Sequence, residues 1–163
     1  RAAVAAAAAA GVKCVTVHDL LDHEAQTGMH KLGTAADGSG AVLGNPSGAI
    51  ALLWLRRLLQ FSVSVLHMIS NGKDVDAAMN AGYSEVLRPF HGFLLRKAFG
   101  VAIGRVPPSP VVYAALVPDC DSEDESHRQV LKTIPPYITS GKTLVTDIEK
   151  AFAERHLESH EVA

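Results

Sequence analysis

The stretch from Ser47 to Ser70 limits this chain more than any other. Ile50, Leu53, Trp54, Leu58, Phe61, Val65 and Met68 follow helical spacing, and Leu52, Leu55, Leu59, Val63 and Leu66 make a second apolar face. Only Arg56, Gln60, Ser64 and His67 form a polar stripe. Ser47 is a suitable N-cap, and Asn71-Gly72 supplies the stop. A helix so nearly apolar all round must be buried on two sides, so the rest of the chain has to wrap it. Arg56 and Arg57 lie mid-segment, where each charge would be costly in a bilayer, which argues against a membrane span. The two arginines are expected on a solvated edge, with contact to a ligand oxygen as the alternative.

A second apolar helix is led in by Pro89 and ends near Gly104, ahead of Pro107-Pro108. Helical spacing puts His91, Leu95, Phe99 and Ala102/Ile103 on one side, so an imidazole heads an apolar row. Trp54, Leu58, Phe61 and Val65 repeat the arrangement with an indole at the head. Two such rows facing each other would line a slot with hydrogen-bonding heads and an oily body, a shape that suits a lipid.

At these residues the sequence resembles the glycolipid transfer protein family. The matching pieces are Leu52-Leu53-Trp54-Leu55-Arg56-Arg57-Leu58-Leu59-Gln60-Phe61, Ala81-Gly82-Tyr83, Phe90-His91-Gly92-Phe93, and Leu95 to Phe99. The resemblance is clear from about Thr16 to Leu116 and looser beyond. It implies an all-α fold of two helical layers enclosing a hydrophobic lipid-chain pocket. It also implies a protein that carries single sphingolipids between membranes without chemistry or cofactor. Carried over residue by residue, Trp54 is the platform under the first sugar and His91 hydrogen-bonds the ceramide amide. Leu58, Phe61, Val65, Phe93, Leu95, Phe99, Ala102 and Ile103 line the chain tunnel, with Phe93 standing where the family often has Trp.

Two departures refine this expectation. The family's headgroup site also uses an Asp-x-x-x-Asn-x-x-Lys helix upstream of the Trp, and no such run precedes Trp54. With Arg1 as first residue, residues 1–163 are expected to form a single glycolipid transfer protein domain lacking the family's N-terminal helices. Members that bind ceramide 1-phosphate tend to carry two basic residues where this chain has Ile50 and Trp54. A phosphate wants guanidinium or ammonium donors, whereas a sugar stacks its C–H groups on an aromatic face. A glycosylceramide is therefore the expected ligand. Ceramide 1-phosphate transfer, a non-transferring lipid sensor and an inactive truncated product are the alternatives.

Composition agrees with one globular domain: 163 residues, 48% hydrophobic and 20% charged. A net charge of −2 gives no footprint for nucleic acid and no strong attraction to anionic membranes, so membrane contact is expected to be apolar and transient. Cys14 and Cys120 are too few and too far apart for a metal knuckle or disulfide framework, which suggests a reduced, cytoplasmic setting. The eight His are scattered, and neither an HExxH run nor a nucleophile elbow occurs, so neither a metal nor an enzyme is expected.

Along the remaining chain, Arg1 to Ala10 is almost all Ala and reads as a helix closed by Gly11, not as a signal-peptide core. Thr16 caps a short helix to about Thr27, and Gly28 to Ser47 is a flexible connection. Asp74 caps a helix from Val75 to Arg88, and another runs from Pro110 to about Val117. The acidic run Asp119 to Ser126 lacks the glycine and the twelfth-position Glu of a calcium loop. The C-terminal part reads as helices from Glu123 to Thr133 and from Pro136 to Leu157, the latter kinked at Gly141. Ser140-Gly141-Lys142-Thr143 lacks the earlier Gly of a P-loop.

Overall fold

The computed structural model describes residues 16–32 and 40–162. The expected N-terminal Ala helix, Cys14 and residues 33–39 of the Gly28 to Ser47 connection lie outside these residues. Among the described residues the elements are helical: α1 (Val17–Gln26), α2 (Gly48–Ser70), α3 (Val75–Gly82), α4 (Phe93–Ile103), α5 (Ser109–Leu116) and α6 (Glu123–Ala153). A π-helical turn (Tyr83–Leu87) and a 3-10 turn (Arg88–Phe90) connect α3 to α4. The described residues form two compact units, one of 16–32, 40–56 and 145–161, the other of 57–144 and 162.

The first unit is built around the start of α2. Thr16 and Asp19 make a reciprocal capping box that opens α1, as the sequence suggests. Ser47 Oγ accepts from the Ile50 amide at 3.1 Å, as an N-cap should, and a second cap arrives from α1. The Glu24 carboxylate, 2% exposed, accepts from the amides of Gly48 (2.7 Å) and Ala49 (3.0 Å). A carboxylate there satisfies two of the helix's orphan donors and meets the positive end of its dipole. Gly44 donates to His30 Nδ1 at 3.0 Å, which places the ring proton on Nε2, 3.3 Å from Glu24 Oε2. Leu21, Leu43, Leu53, Phe152 and Leu157 fill the core around this clasp.

The end of the chain closes the same unit. Arg155 reaches Asp22 of α1 through Nε (2.6 Å) and Nη2 (3.1 Å), which holds the Asp22 carboxyl below its ordinary range. Arg56 makes a bidentate pair with Glu158, at 2.6 and 2.8 Å, and lies over the Phe152 ring.

The second unit packs α3, α4, α5 and the first part of α6 around the rest of α2. Its core holds Phe61, Val65, Ile69, Ala78, Tyr83, Leu87, Ile103, Tyr113, Val130 and Ile134. Gly82 allows α3 to meet α2 closely: a Cβ there would stand 2.8 Å from Val65 Cγ2. Asp74 precedes α3 as expected but makes no side-chain cap; Ser109 Oγ accepts from the Val75 amide (2.9 Å) and donates to Asp74 (3.3 Å) instead.

Two expectations change here. Helix α6 is continuous through Pro135 and Pro136, where the sequence suggested a break, and ends at Ala153. Each proline removes one helix hydrogen bond, but Val130, Ile134 and Ile138 keep one face against the core across the pair, so packing outweighs the loss. The α-helical part of the Val75 to Arg88 segment stops at Gly82 and continues as the π turn.

Helix α2 is long and apolar enough to cross a membrane by length and composition. Its arginines are not on a solvated edge. Arg57 is 1% exposed and Arg56 is buried, each laid on an aromatic ring.

Candidate functional site

Of the candidate residues, His91, Phe61, Val65, Phe99 and Ile103 belong to the second unit's interior, and the loop between the 3-10 turn and α4 is its focus. Pro89 fixes the 3-10 turn rather than the start of α4. His91 then leaves it in extended conformation, with φ −99° and ψ 129°, and α4 begins only at Phe93. The expected helical row from His91 through Leu95 to Phe99 is therefore interrupted at its head. The imidazole nonetheless reaches Phe99, because the extended step turns the ring back over the helix it precedes.

Around His91 the ring packing is dense. Its centroid lies 4.7 Å from Phe99 and 5.6 Å from Tyr83, while Tyr83 and Phe99 stack at 5.1 Å with planes 4° apart. His91 Nδ1 and the Tyr83 hydroxyl are hydrogen-bonded at 3.4 Å. When Tyr83 donates, the ring carries its proton on Nε2. His91 is 4% exposed. Burial lowers its proton affinity, and the positive charges of Arg57 and Arg96 lower it further.

The Arg57 guanidinium sits 3.7 Å from the centroid of Phe90, the residue before His91. Tyr83, Phe90 and Arg57 are the members of this cluster that periodicity did not single out. Tyr83 and Phe90 stood inside the matched family segments, but nothing in their spacing showed that they would meet His91. Arg57 carried a signal in retrospect, a cation in the middle of an apolar helix.

The chain-lining candidates divide. Phe61, Val65 and Ile103 are buried in the second unit's core, with Phe99 packed against it. Leu95 is half-buried, while Leu58 and Ala102 are exposed. Phe93 is 74% exposed, with the Lys97 ammonium 4.6 Å from its ring centroid. Trp54 belongs to the first unit, half-buried on α2. Among the described residues no three His, Cys, Asp or Glu side chains are grouped to hold a metal ion.

Comparison with known proteins agrees with the fold. The model of the glycolipid transfer protein family matches residues 2–118. Pleckstrin homology domain-containing family A member 8 is 31% identical over 119 residues in Homo sapiens, covering 71% of this chain and 23% of that protein. The Danio rerio protein of the same name is 32% identical over 119 residues. Glycolipid transfer protein 3 of Arabidopsis thaliana is 28% identical over 91 residues, 55% of this chain and 37% of that one. The chain thus spans less than a quarter of the length of the first two relatives. Among solved structures, FAPP2, described as selecting simple glycosphingolipids using the GLTP fold, superposes with a TM-score of 0.72 at 24% identity. That match covers 93% of this chain and 67% of the other. Mouse ceramide-1-phosphate transfer protein in its apo form gives 0.58 at 20% identity, over 85% of this chain and 62% of that one. With the family model matching well over half its length and an all-helical architecture to go with it, the chain belongs to the glycolipid transfer protein family.

Proposed function

We propose that this protein binds one neutral glycosphingolipid, with a glycosylceramide as the fitting class, and carries it between membranes. The observation that carries the choice of headgroup is the engagement of both arginines of α2. Arg56 is clamped by Glu158 and Arg57 is buried against Phe90. A lipid phosphate would have to pull them from these partners, at the loss of a bidentate charge-assisted pair and a cation–ring contact. A sugar asks for an aromatic face and hydrogen-bonding groups instead. Trp54 is the platform for the sugar, and His91 the donor to the ceramide amide.

The acyl and sphingoid chains enter the apolar interior headed by Phe61, Val65, Phe99 and Ile103, with Leu58, Phe93, Leu95 and Ala102 completing the path. Several of these side chains already pack on one another, so chain entry is an exchange of contacts within the core. Apolar contact with bilayer is replaced by apolar contact with protein, so the driving force is small and uptake is reversible. Selectivity then comes from the head. Residues 1–163 act together as one transfer domain, with only brief apolar contact at the membrane surface.

The test uses Trp54, the single Trp of the chain, as its own probe. Phosphatidylcholine vesicles containing glucosylceramide should give a saturable change in its emission, and vesicles of phosphatidylcholine alone or with ceramide 1-phosphate should not. A saturable response to ceramide 1-phosphate alone would overturn the choice of headgroup. Binding of glucosylceramide without movement of the lipid to acceptor vesicles would identify a sensor in place of a carrier.

A further inference from the structure

Resting on the reading of His91 as a lipid-binding group, we propose that Arg57 is a positioning residue for it. Buried and stacked on Phe90, its guanidinium fixes the 3-10 turn that presents the imidazole. Among the described residues Arg57 is one of the largest fully buried side chains, and its guanidinium carbon lies 3.7 Å from the centroid of the ring one residue ahead of His91.

What the charge supplies is control of the neighbouring imidazole. The groups facing His91 are Tyr83 from the π turn, Arg57 from α2 and Arg96 from α4. Tyr83 fixes Nδ1, and the two cations oppose a second proton on the ring, which burial already disfavours. The ring therefore keeps the neutral form, and the Phe90 stack holds the turn that carries it. A ligand then meets a preset ring and does not bear the cost of ordering it.

The coupling is measurable without lipid. The His91 imidazole is titrated by NMR in the wild type, Arg57→Met, Arg57→Lys and Arg96→Met. The titration midpoint should rise in Arg57→Met, rise less in Arg96→Met, and stay near wild type in Arg57→Lys, which retains the charge. Uptake of labelled glucosylceramide from phosphatidylcholine vesicles, read as lipid co-eluting with protein, should weaken about three- to tenfold in Arg57→Met, the cost of ordering one freed side chain. Arg57→Lys should recover part of it. Phe90→Leu keeps the charge and removes the stack, so it should lose uptake with little change in the midpoint, and it serves if Arg57→Met does not fold. A midpoint unmoved in folded Arg57→Met, or wild-type uptake in Phe90→Leu, would overturn the assignment to Arg57 alone. Wild-type uptake by His91→Gln would instead remove His91 from the ligand site and the role of Arg57 with it.

Discussion

At the scale of single residues, His91 shows how burial converts a common side chain into a specific donor. Its protonated form is disfavoured first by burial and then by Arg57 and Arg96. The sign of the resulting pH dependence follows directly. The unfolded chain takes up a proton near the ordinary value of 6.5, while the folded ring resists it. The contribution of His91 to stability is therefore complete above about pH 6.5 and is lost as the pH falls below that value, until the folded-state ring titrates too. Comparing urea unfolding at pH 7.5 and 5.5, the wild type should lose more stability across the interval than His91→Gln, the other histidines being common to both. Equal losses would mean that His91 is not held neutral by the fold.

Among whole elements, Gly141 shows where two helices had to come close. A Cβ on Gly141, in the middle of α6, would stand 2.5 Å from Val63 Cγ2 of α2. An open helical site gains about 1 kcal/mol from Gly→Ala. Overpacking against a stiff, β-branched neighbour costs about 1 to 3 kcal/mol and should reverse the sign. Gly141→Ala is thus expected to lower the unfolding free energy, and Val63→Ala in the same chain should recover much of the loss. A double-mutant cycle in urea reads this coupling directly, and strict additivity would count against the contact. The same elements show what was legible in the sequence. The long apolar period of α2, its Ser47 cap and the capping box at Thr16 could be read because each depends on neighbours in sequence. The Glu24 clasp on α2, the Ser109 bond at the start of α3 and the Arg57 stack on Phe90 could not, since each joins residues far apart in the chain. At Pro135-Pro136 the break expected from the local signal does not occur, because the buried row through Val130 and Ile134 overrides it. His91 fell between these cases: its motif pointed to the ligand role proposed for it, while its extended backbone was hidden behind a helical spacing that happened to fit.

For the molecule as a whole, the balance of charge decides how it can meet a membrane. A carrier drawn to bilayers by a basic surface would show a steep fall in transfer rate with salt, because the attraction is screened over about 10 Å at 0.1 M ionic strength. This chain has a formal net charge of −2, and its α2 arginines are engaged within the protein. Near the candidate site it presents to solvent Phe93 and Leu94, among its exposed large hydrophobic side chains, beside the cations Arg88, Arg96 and Lys97. Apolar contact gains little from low salt and is strengthened slightly by salts that are excluded from surfaces. Glucosylceramide transfer between phosphatidylcholine vesicles should therefore change by less than about twofold between 20 and 500 mM sodium chloride, as long-range steering is absent. Adding an anionic lipid to the donor vesicles should likewise give no large acceleration at low salt. A rate that fell tenfold or more over the same range would mean that cations such as Arg88, Arg96 and Lys97 bring the protein to the surface, and the encounter would then be electrostatic.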